Sequence, residues 1–537
     1  MFICAYLIMS VIFIYSMIKM RRSLHMLQQN LYNENNRYVK WVFKNYKQFM
    51  DWDIILILIA FAGSLVFYDL EVVSVIGMIG LIIVGYFLGF RWISRMKNDQ
   101  NKKPLVVTAR IKRLIFTILV LYFIPLCLMC YYMVDKEFFW QMLFVITFMI
   151  YFNTFVVYLA NIINLPVEKL VYLYYKSKAQ GKLKRMNNLK IIGITGSYGK
   201  TSSKNILSDI LNIKYNALPT PRNLNTFNGL IMTVNNHMDK FTDIFIAEMG
   251  AYIKGEIKGL CKLIKPKYGI LTRIGTAHLE SFGSEENIIS GKFELIESLP
   301  EDGFAVLNGD DPKQVNYKLK NNVRTIWIGI DNKDADVRAT NIKCSSKGTS
   351  FDVVFKDDKN KYAFETKLLG DHNVYNILAG IACGVEFGID IEDLVAAVKA
   401  VRPVEHRLEL KRLGNFYQID DAYNSNPVGA GNACKVLGMM PGLKVVVTPG
   451  MIELGAKEKE YNKKFGEQIA EVADYAVLIG EKRTKPIYEG LIDKGFDKEK
   501  IIVFNDVRDA YPFIGSLTGK KDVYALFEND LPDTYNE

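Results

Sequence analysis

Residues 189–211 read LKIIGITGSYGKTSSKNILSDIL, and this stretch decides the fold of the chain around it. Its apolar start predicts a buried strand, the next four residues predict a turn with a glycine at each end, and the rest has helical spacing. Such a turn directs backbone N–H groups and a helix N-terminus at an anion. A lysine there can neutralise a β- or γ-phosphate, and the following hydroxyl can hold Mg²⁺. The stretch therefore predicts a nucleotide-phosphate loop made by Gly196, Gly199, Lys200, Thr201 and Ser202.

This loop departs from the strict Walker A pattern, which needs glycine at position 194, where the chain has Ile194. A GxxGKT string by itself is a moderate signal. Its position between a buried strand and a helix makes the signal strong.

The chain after residue 189 alternates short apolar runs with helical segments, as parallel α/β sheets do. The runs at 243–248, 268–272 and 304–308 predict further buried strands. Alternating patterns at 322–368 predict a small β insertion packed on the main sheet, and a second α/β series begins at Arg402. We therefore expect a nucleotide-binding central domain at 189–401 and a Rossmann-like C-terminal domain at 402–537.

The first third of the chain has a different composition. Five apolar stretches, near 2–18, 54–68, 73–90, 114–134 and 138–163, predict about five membrane helices, although the second is short. Residues 19–53 carry seven basic residues against three acidic ones, and residues 91–113 carry eight against Asp99. The positive-inside rule then predicts a transmembrane region at 1–164 with its N-terminus outside, a basic, helix-capable linker at 165–188, and catalytic domains in the cytoplasm. The absence of a basic segment before Phe2 argues against a cleaved signal peptide.

The formal net charge of +10 does not indicate nucleic-acid binding. Residues 1–185 hold 22 basic and 9 acidic residues, whereas the remainder holds 45 and 48, so the surplus belongs to the predicted membrane region. The seven cysteines are scattered and suggest neither a disulfide framework nor a metal site.

Two further residues follow predicted strands at the same sheet edge. Glu248 ends a buried strand, where an unpaired carboxylate would be costly, and its expected place beside Thr201 makes it a candidate Mg²⁺ ligand. His278 follows the next strand and is a candidate for a second metal site. Each residue alone could equally be structural.

The string TGSYGKTS resembles the nucleotide loop of the Mur ligase family. Other motifs similar to those of the family follow in the family's order. They are TPRNLNTFNGL (220–230), AEMGA (247–251), TAHLESFGS (276–284), GKFEL (291–295), LNGDDP (307–312), GDHNVYNILA (370–379), HRLE (406–409), DDAYNSNP (420–427) and GMIELG (450–455). Ten ordered motifs are far more specific than any one of them.

The resemblance implies ATP and two Mg²⁺ ions as cofactors. It aligns Lys292 with the lysine that CO₂ carbamylates in these ligases, which turns a cation into an anionic ligand for the second Mg²⁺. It further implies nucleotide contacts from Asn376, Arg407 and Asp421. Implied substrate contacts come from Asn223, Asn225, Tyr423, Asn424 and Asn426.

The expected reaction is amide-bond formation through an acyl phosphate, with Lys200, Lys292 and His278 as the catalytic residues. The expected partners are a peptide or glycopeptide carboxylate and an amino acid or dipeptide amine. YNSNP and GMIELG favour the branch of the family that adds D-alanyl-D-alanine in cell-wall peptidoglycan synthesis.

One departure concerns the acceptor. Soluble family members have a uridine-nucleotide-holding domain before the phosphate loop, where this chain has apolar stretches and a linker. A ligase acting on a lipid-linked envelope precursor is therefore a close alternative, and an amidating relative is a more distant one. From other classes, a transporter or sensor driven by a phosphate-loop domain would need ionisable groups in its spans, and a binding module would not need Lys200, Glu248, His278 and Lys292 together.

Overall fold

The computed structural model describes residues 2–46, 52–67, 71–98, 104–131, 136–276, 278–423, 425–452, 454–519 and 522–530. It divides into two compact units, Met1–Tyr174 and Tyr175–Glu537.

The first unit is helical. Its helices are α1 (Phe2–Gln29), α2 (Arg37–Lys44), α3 (Ile54–Ala62), α4 (Glu71–Asn98), α5 (Ala109–Tyr131), α6 (Lys136–Tyr151) and α7 (Asn153–Arg185), the last of which continues into the second unit. Within the described residues, three helical stretches are long and apolar enough to cross a membrane: Val72–Ser94, Ala109–Leu128 and Asn153–Arg185. Ile54–Val66 and Glu137–Tyr151 are shorter apolar helices.

Two details of the first unit differ from the sequence prediction. The stretch 138–163 is not one helix, because α6 ends at Tyr151 and α7 begins at Asn153. Lys19 is not a loop residue: it lies in α1, 1% exposed, and forms an ion pair with Asp53, which is equally buried. Counting basic residues treats each one as solvated, and this lysine instead has a carboxylate partner 34 positions away.

The second unit begins with a nine-stranded sheet. Its strands are β1 (Lys190–Thr195), β2 (Ala217–Pro219), β3 (Ile244–Glu248), β4 (Tyr268–Leu271), β5 (Phe304–Asn308), β6 (Arg324–Gly329), β7 (Val337–Ser345), β8 (Gly348–Phe355) and β9 (Lys361–Thr366). The order is β2-β3-β1-β4-β5-β6-β7-β8-β9. The pairs are parallel as far as β7, and β8 and β9 are added antiparallel.

The predicted β insertion therefore does not pack on the main sheet. It extends that sheet, because β6 pairs with the open edge of β5 from Phe304↔Arg324 to Asn308↔Ile328. Strand alternation in the sequence predicted the strands but carried no information about which edge they would join.

Helices cover this sheet and bury its apolar side chains. They are α8 (Lys200–Leu211), α9 (Phe227–Asn236), α10 (Glu256–Ile264), α11 (Leu279–Phe282), α12 (Glu285–Phe293), α13 (Pro312–Val315), α14 (Asp371–Glu386) and α15 (Ile391–Ala400). One core joins Ile192 and Ile194 of β1 to Ile206 and Ile210 of α8 and to Ile377 of α14. The helix after the phosphate loop is thus fixed on the strand before it.

A second, six-stranded sheet follows. Its strands are β10 (Glu409–Leu413), β11 (Phe416–Asp421), β12 (Leu443–Thr448), β13 (Tyr475–Ile479), β14 (Ile501–Phe504) and β15 (Val523–Glu528), in the order β10-β11-β15-β12-β13-β14. Helices α16 (Pro427–Gly438), α17 (Glu458–Val472), α18 (Glu481–Asp493) and α19 (Ala510–Ser516) complete it. The α/β series predicted after Arg402 is present, and β10 is paired antiparallel at the edge of its sheet.

Candidate nucleotide and metal site

The phosphate loop lies between β1 and α8, where two glycines have positive φ. Gly196 has φ +152° and approaches the neighbouring strand end so closely that a Cβ would lie 1.9 Å from Thr272 Oγ1. Gly199, at φ +83°, is the residue before the first turn of α8. Any side chain at position 196 would collide, and one at 199 would be strained. The loop sequence is therefore set by the turn it must make.

Lys200 folds back over this loop. Its Nζ donates to the carbonyl oxygens of Gly196 (2.7 Å) and Ser197 (3.3 Å). Burial lowers the pKa of Lys200, and the nearby Arg407 guanidinium lowers it further, while Glu248 opposes both. The ammonium group therefore lies against the backbone of the loop, where it can meet the negative charge of a phosphate.

Glu248 is the centre of a buried polar cluster at the end of β3. It is 2% exposed, and its Oε1 accepts hydrogen bonds from Thr201 Oγ1 and Asn225 Nδ2, each at 3.1 Å. Its Oε2 lies 3.2 Å from Lys204 Nζ but accepts no hydrogen bond. Lys204, itself 1% exposed, also donates to the Arg222 carbonyl at 2.6 Å. Sequence reasoning missed Lys204, although its place one turn after Lys200 puts it on the same side of α8.

These donors fit a hard divalent cation. Thr201 and Glu248 offer hydroxyl and carboxylate oxygens beside the phosphate loop, and the Glu248 oxygen without a hydrogen bond has capacity for a ligand. Within the described ranges, no group of three or more His, Cys, Asp or Glu side chains could hold a metal by itself. Mg²⁺ does not need such a group, because it is bound by one or two carboxylates together with substrate phosphates and water.

Lys292 lies on α12 and is 1% exposed. Its Nζ is 3.4 Å from the Ala251 carbonyl oxygen, just after the β3 strand end. Burial, followed by the charge of Lys200, lowers the pKa of Lys292 to about 7. A large fraction of this amine is therefore neutral near neutral pH, which is the state that can react with CO₂. This helix is capped at its N-terminus, since Ser284 accepts a hydrogen bond from Asn287 N.

His278 lies close to the same group of cations. Burial lowers its pKa to about 4, with contributions from Lys200 and Lys292, so its imidazole is neutral. The ring packs against Tyr252 with a centroid distance of 4.5 Å. Lys200, Lys292 and His278 are thus near enough to influence one another's pKa values. A neutral imidazole is the form that binds metals.

The nucleotide segment at the start of α14 is tied to α8. Asn376 accepts from Ser203 Oγ at 2.6 Å and donates to Asn373 Oδ1 at 3.2 Å, so its amide is held in one orientation. His372 was not among the predicted site residues, yet burial lowers its pKa to about 4 and its Nδ1 has no hydrogen-bond partner. A side-chain nitrogen without a hydrogen-bond partner, at the start of the helix that is tied to α8, can meet a nucleotide edge.

The C-terminal domain contributes Arg407 and Asp421. The Arg407 guanidinium lies 4.4 Å from the centre of the Tyr423 ring and lowers the pKa values of Lys200 and His372, so it lies near the phosphate loop. Burial raises the pKa of Asp421 to about 6, and Arg407 opposes that shift.

The predicted substrate residues fall into different places. Asn223 lies beside the Tyr423 hydroxyl, Tyr423 is 44% exposed, and Asn225 donates to Glu248. Asn426 instead caps α16 by accepting from Gly429 N at 2.9 Å, so its side-chain oxygen is already used. Asn424 lies outside the described residues.

Comparison with known proteins identifies the two domains of the second unit. The Mur ligase middle domain matches residues 194–384, and the Mur ligase, glutamate ligase domain matches residues 406–527. The chain is 33% identical over 338 residues to UDP-N-acetylmuramoyl-tripeptide--D-alanyl-D-alanine ligase of Bacillus subtilis (strain 168), which covers 62% of this chain and 72% of that protein.

Solved structures agree as well. MurF from Acinetobacter baumannii superimposes with a TM-score of 0.60 at 26% identity, covering 67% of this chain and 77% of that one. MurF ligase from Thermotoga maritima in complex with ADP gives a TM-score of 0.59 at 27% identity, covering 66% and 80%. The family resemblance inferred from the ordered motifs is confirmed: the chain belongs to the Mur ligase family of ATP-dependent ligases.

Proposed function

We propose that this chain joins D-alanyl-D-alanine to the terminal carboxylate of a peptidoglycan peptide precursor. The observation that carries the proposal is the cluster in which Thr201, Asn225 and Lys204 converge on the buried Glu248 beside the phosphate loop. Through Glu248, this cluster connects Thr201, which is expected to hold the metal beside the nucleotide, with Asn225 in the segment that is expected to bind the acceptor. The D-alanyl-D-alanine ligase named above supports the choice of amine.

ATP, held with Mg²⁺, supplies the γ-phosphoryl group and the charge neutralisation for its transfer. A carboxylate oxygen of the acceptor attacks the γ-phosphorus, ADP leaves, and an acyl phosphate forms. The amine of the dipeptide then attacks the acyl carbon, phosphate leaves, and the amine loses a proton. The role of Lys200 is to offset negative charge on the transferring group, and Thr201 and Glu248 would hold the first Mg²⁺.

Lys292 and His278 would serve a second Mg²⁺. The neutral Lys292 amine attacks CO₂ and loses a proton, which gives a carbamate anion, and burial favours this step by keeping the amine unprotonated. His278 is neutral, and Lys292 is near enough to lower its pKa. His278 would therefore complete the ligand set. Arg407, Tyr423 and Asp421 would close over the nucleotide and exclude water from the acyl phosphate.

We further propose that the first unit lies in a membrane, with the catalytic domains in the cytoplasm. Most large apolar side chains that are exposed belong to this unit, including Ile83, Phe87, Phe116 and Phe123. Such a surface suits hydrocarbon rather than water. The number of spans remains part of the proposal, and so does a lipid-linked acceptor, which a membrane location would favour.

The proposed function is tested by phosphate release from ATP with the detergent-purified full-length chain. We expect release only when D-alanyl-D-alanine and a peptide-precursor carboxylate are both present, together with a new amide product by mass spectrometry. Comparing a uridine-linked with a lipid-linked tripeptide identifies the acceptor. Phosphate release that needs neither substrate, or that gives no amide, would overturn the proposal.

A transporter driven by ATP is the second candidate, and the buried Lys19–Asp53 pair is the observation in its favour. Ionisable groups inside an apolar helical unit often mark a transport path. Here, however, Asp53 also accepts from the Tyr15 hydroxyl, and Lys19 donates to the Tyr151 carbonyl oxygen at 3.2 Å, where α6 ends. This network suits a structural lock between helices. Amine-independent ATP hydrolysis would favour the transporter.

A further inference from the structure

The C-terminal part of α7, residues 175–185, belongs to the second unit and contacts the rest of that unit through one helix face. Tyr175, Ala179 and Lys182 recur at i, i+4 and i+7, which places them on one helix face. Asn235 Nδ2 donates to the Tyr175 carbonyl oxygen at 3.0 Å, and Lys182 Nζ donates to the Met238 carbonyl oxygen at 2.5 Å. Ala179 and Met238 are 1% and 3% exposed. Both ends of this contact are therefore fixed by hydrogen bonds around a buried centre.

This face of α7 contacts the end of α9 and the turn that follows α9. Asn235 is in the last turn of α9, and Met238 lies two residues beyond the helix. Residues 220–226, the segment expected to meet the acceptor, lead directly into the first turn of the same helix. Thr226 caps that turn by accepting from Gly229 N. Gly229 fits so tightly that a Cβ would lie 2.6 Å from the Leu224 carbonyl carbon.

Residues 220–226 are also held by the polar cluster around Glu248. Lys204 donates to the Arg222 carbonyl oxygen, and Asn225 donates to Glu248. The segment is thus held between the metal-binding carboxylate and a ten-residue helix whose far end is fastened to α7. Because a short α-helix moves as a rigid body, the position of its last turn sets the position of its first.

We propose that residues 175–185 of α7 form a strut that positions the acceptor-binding segment 220–226 through α9. Tyr175, Lys182 and Asn235 are positioning residues, since none of them touches the expected reacting atoms. The inference rests on the proposed role of Asn223 and Asn225 in binding the acceptor carboxylate substrate. A misplacement of about 1 Å in such a segment is enough to weaken productive binding.

The test uses the full-length chain with Lys182→Met and Asn235→Ala, each of which deletes one hydrogen bond of the strut. Each variant is expected to raise the KM for the acceptor about fivefold, which corresponds to one ordinary hydrogen bond, while the KM for ATP stays unchanged. Lys182→Arg keeps a donor and should restore most of the acceptor KM. Lys184→Met, an exposed position on the same helix, is the matched control and should leave both constants unchanged.

A purely structural role would lower the melting temperature without separating the two KM values. The proposal is therefore rejected if Lys182→Met and Asn235→Ala leave the acceptor KM unchanged, or if they raise the KM values for acceptor and ATP together. If the wild-type chain ligates no acceptor, the proposed function fails, and hydrogen exchange then decides about the strut. Lys182→Met should speed exchange in residues 220–230 relative to residues 196–199, and equal exchange in the two variants and wild type would overturn the inference.

Discussion

Lys292 is buried and Lys200 is partly buried, and the structure holds them differently. Lys200 donates to two loop carbonyls, whereas Lys292 has one long contact with the Ala251 carbonyl and lies 5.3 Å from the centre of the Phe282 ring. In the proposed function the first offsets the charge of the phosphate, and the second reacts at its nitrogen. Their proximity is itself part of the site, because the charge of Lys200 helps to keep Lys292 neutral.

Replacing Lys200 tests the first role. Lys200→Ala should reduce ATP-dependent phosphate release by about 10²-fold or more, because the charge that stabilises the transferring phosphoryl group is lost. The loop backbone is set by Gly196 and Gly199, so the melting temperature should change little. The measurement is phosphate release together with thermal unfolding, with the exposed Lys214→Ala as control. Normal turnover in the variant would refute the nucleotide assignment.

Replacing Lys292 tests the second role. With a pKa of about 7, the amine is increasingly neutral as pH rises above 7 and increasingly protonated below it. Activity in CO₂-depleted buffer should therefore recover on adding bicarbonate, and more readily at pH 8 than at pH 6. A ¹³C-bicarbonate NMR signal for a carbamate should be present in the wild type and absent in Lys292→Ala. That variant should be inactive and partly restored by a small carboxylate such as formate; full activity without any addition would make Lys292 an ordinary buried lysine.

At the scale of elements, α8 links three parts of the site through Lys204. Its ammonium is the charge partner of Glu248 on β3 and the donor to Arg222 in the acceptor segment. Removing one member of a buried ion pair leaves the other charge uncompensated, which costs about 3–5 kcal/mol. Lys204 is thus the contact through which helix, strand and segment are held in one arrangement.

Lys204→Met should accordingly destabilise the catalytic unit by about 3–5 kcal/mol. Mg²⁺ can then replace the missing positive charge beside Glu248, so added Mg²⁺ should raise the melting temperature more in the variant than in the wild type. Thermal unfolding with Mg²⁺ and with EDTA makes the comparison. An identical Mg²⁺ effect in the two proteins would mean that Glu248 does not face the metal.

The elements also show what the sequence could predict. Strands β1, β3, β4 and β5 follow from their apolar runs, and the phosphate loop follows from two glycines, a lysine and a hydroxyl at fixed spacing. The Lys204 contact and the Lys19–Asp53 pair each depend on which residues meet in space, and no local pattern records that. The Asn426 cap is different, because Asn426 followed by Pro427 is a local signal for a helix start, although the family resemblance pointed to a substrate contact. The same applies to β7, β8 and β9, whose alternation predicted strands but not the sheet edge they extend. The sequence therefore does not show which charged residues, or which strand edges, meet in the folded chain.

At the scale of the whole molecule, the chain combines a helical unit with the two catalytic domains of a Mur ligase. The matched domains cover residues 194–384 and 406–527, which lie in the second unit. The first unit presents an apolar surface, and Arg113 pairs with Glu168 through two hydrogen bonds of 2.7 and 2.9 Å. In the proposed function this unit takes no part in the chemistry. It keeps the enzyme at the membrane surface, where a lipid-linked acceptor is concentrated.

A fragment that begins at Tyr175 separates these roles. It retains both sheets, the phosphate loop and the strut, so it should bind ATP with the affinity of the full-length chain. If the first unit acts by proximity, the fragment should ligate a lipid-linked acceptor in vesicles at least about tenfold more slowly than the full-length chain, because the effective concentration at the bilayer is lost without any lost contact. A water-soluble acceptor should show no such difference, and full-length Lys200→Ala gives the background for both assays. Equal rates of fragment and full-length chain on the vesicle acceptor would mean that the helical unit does not deliver the substrate, and its function would then have to be sought in its own buried polar groups.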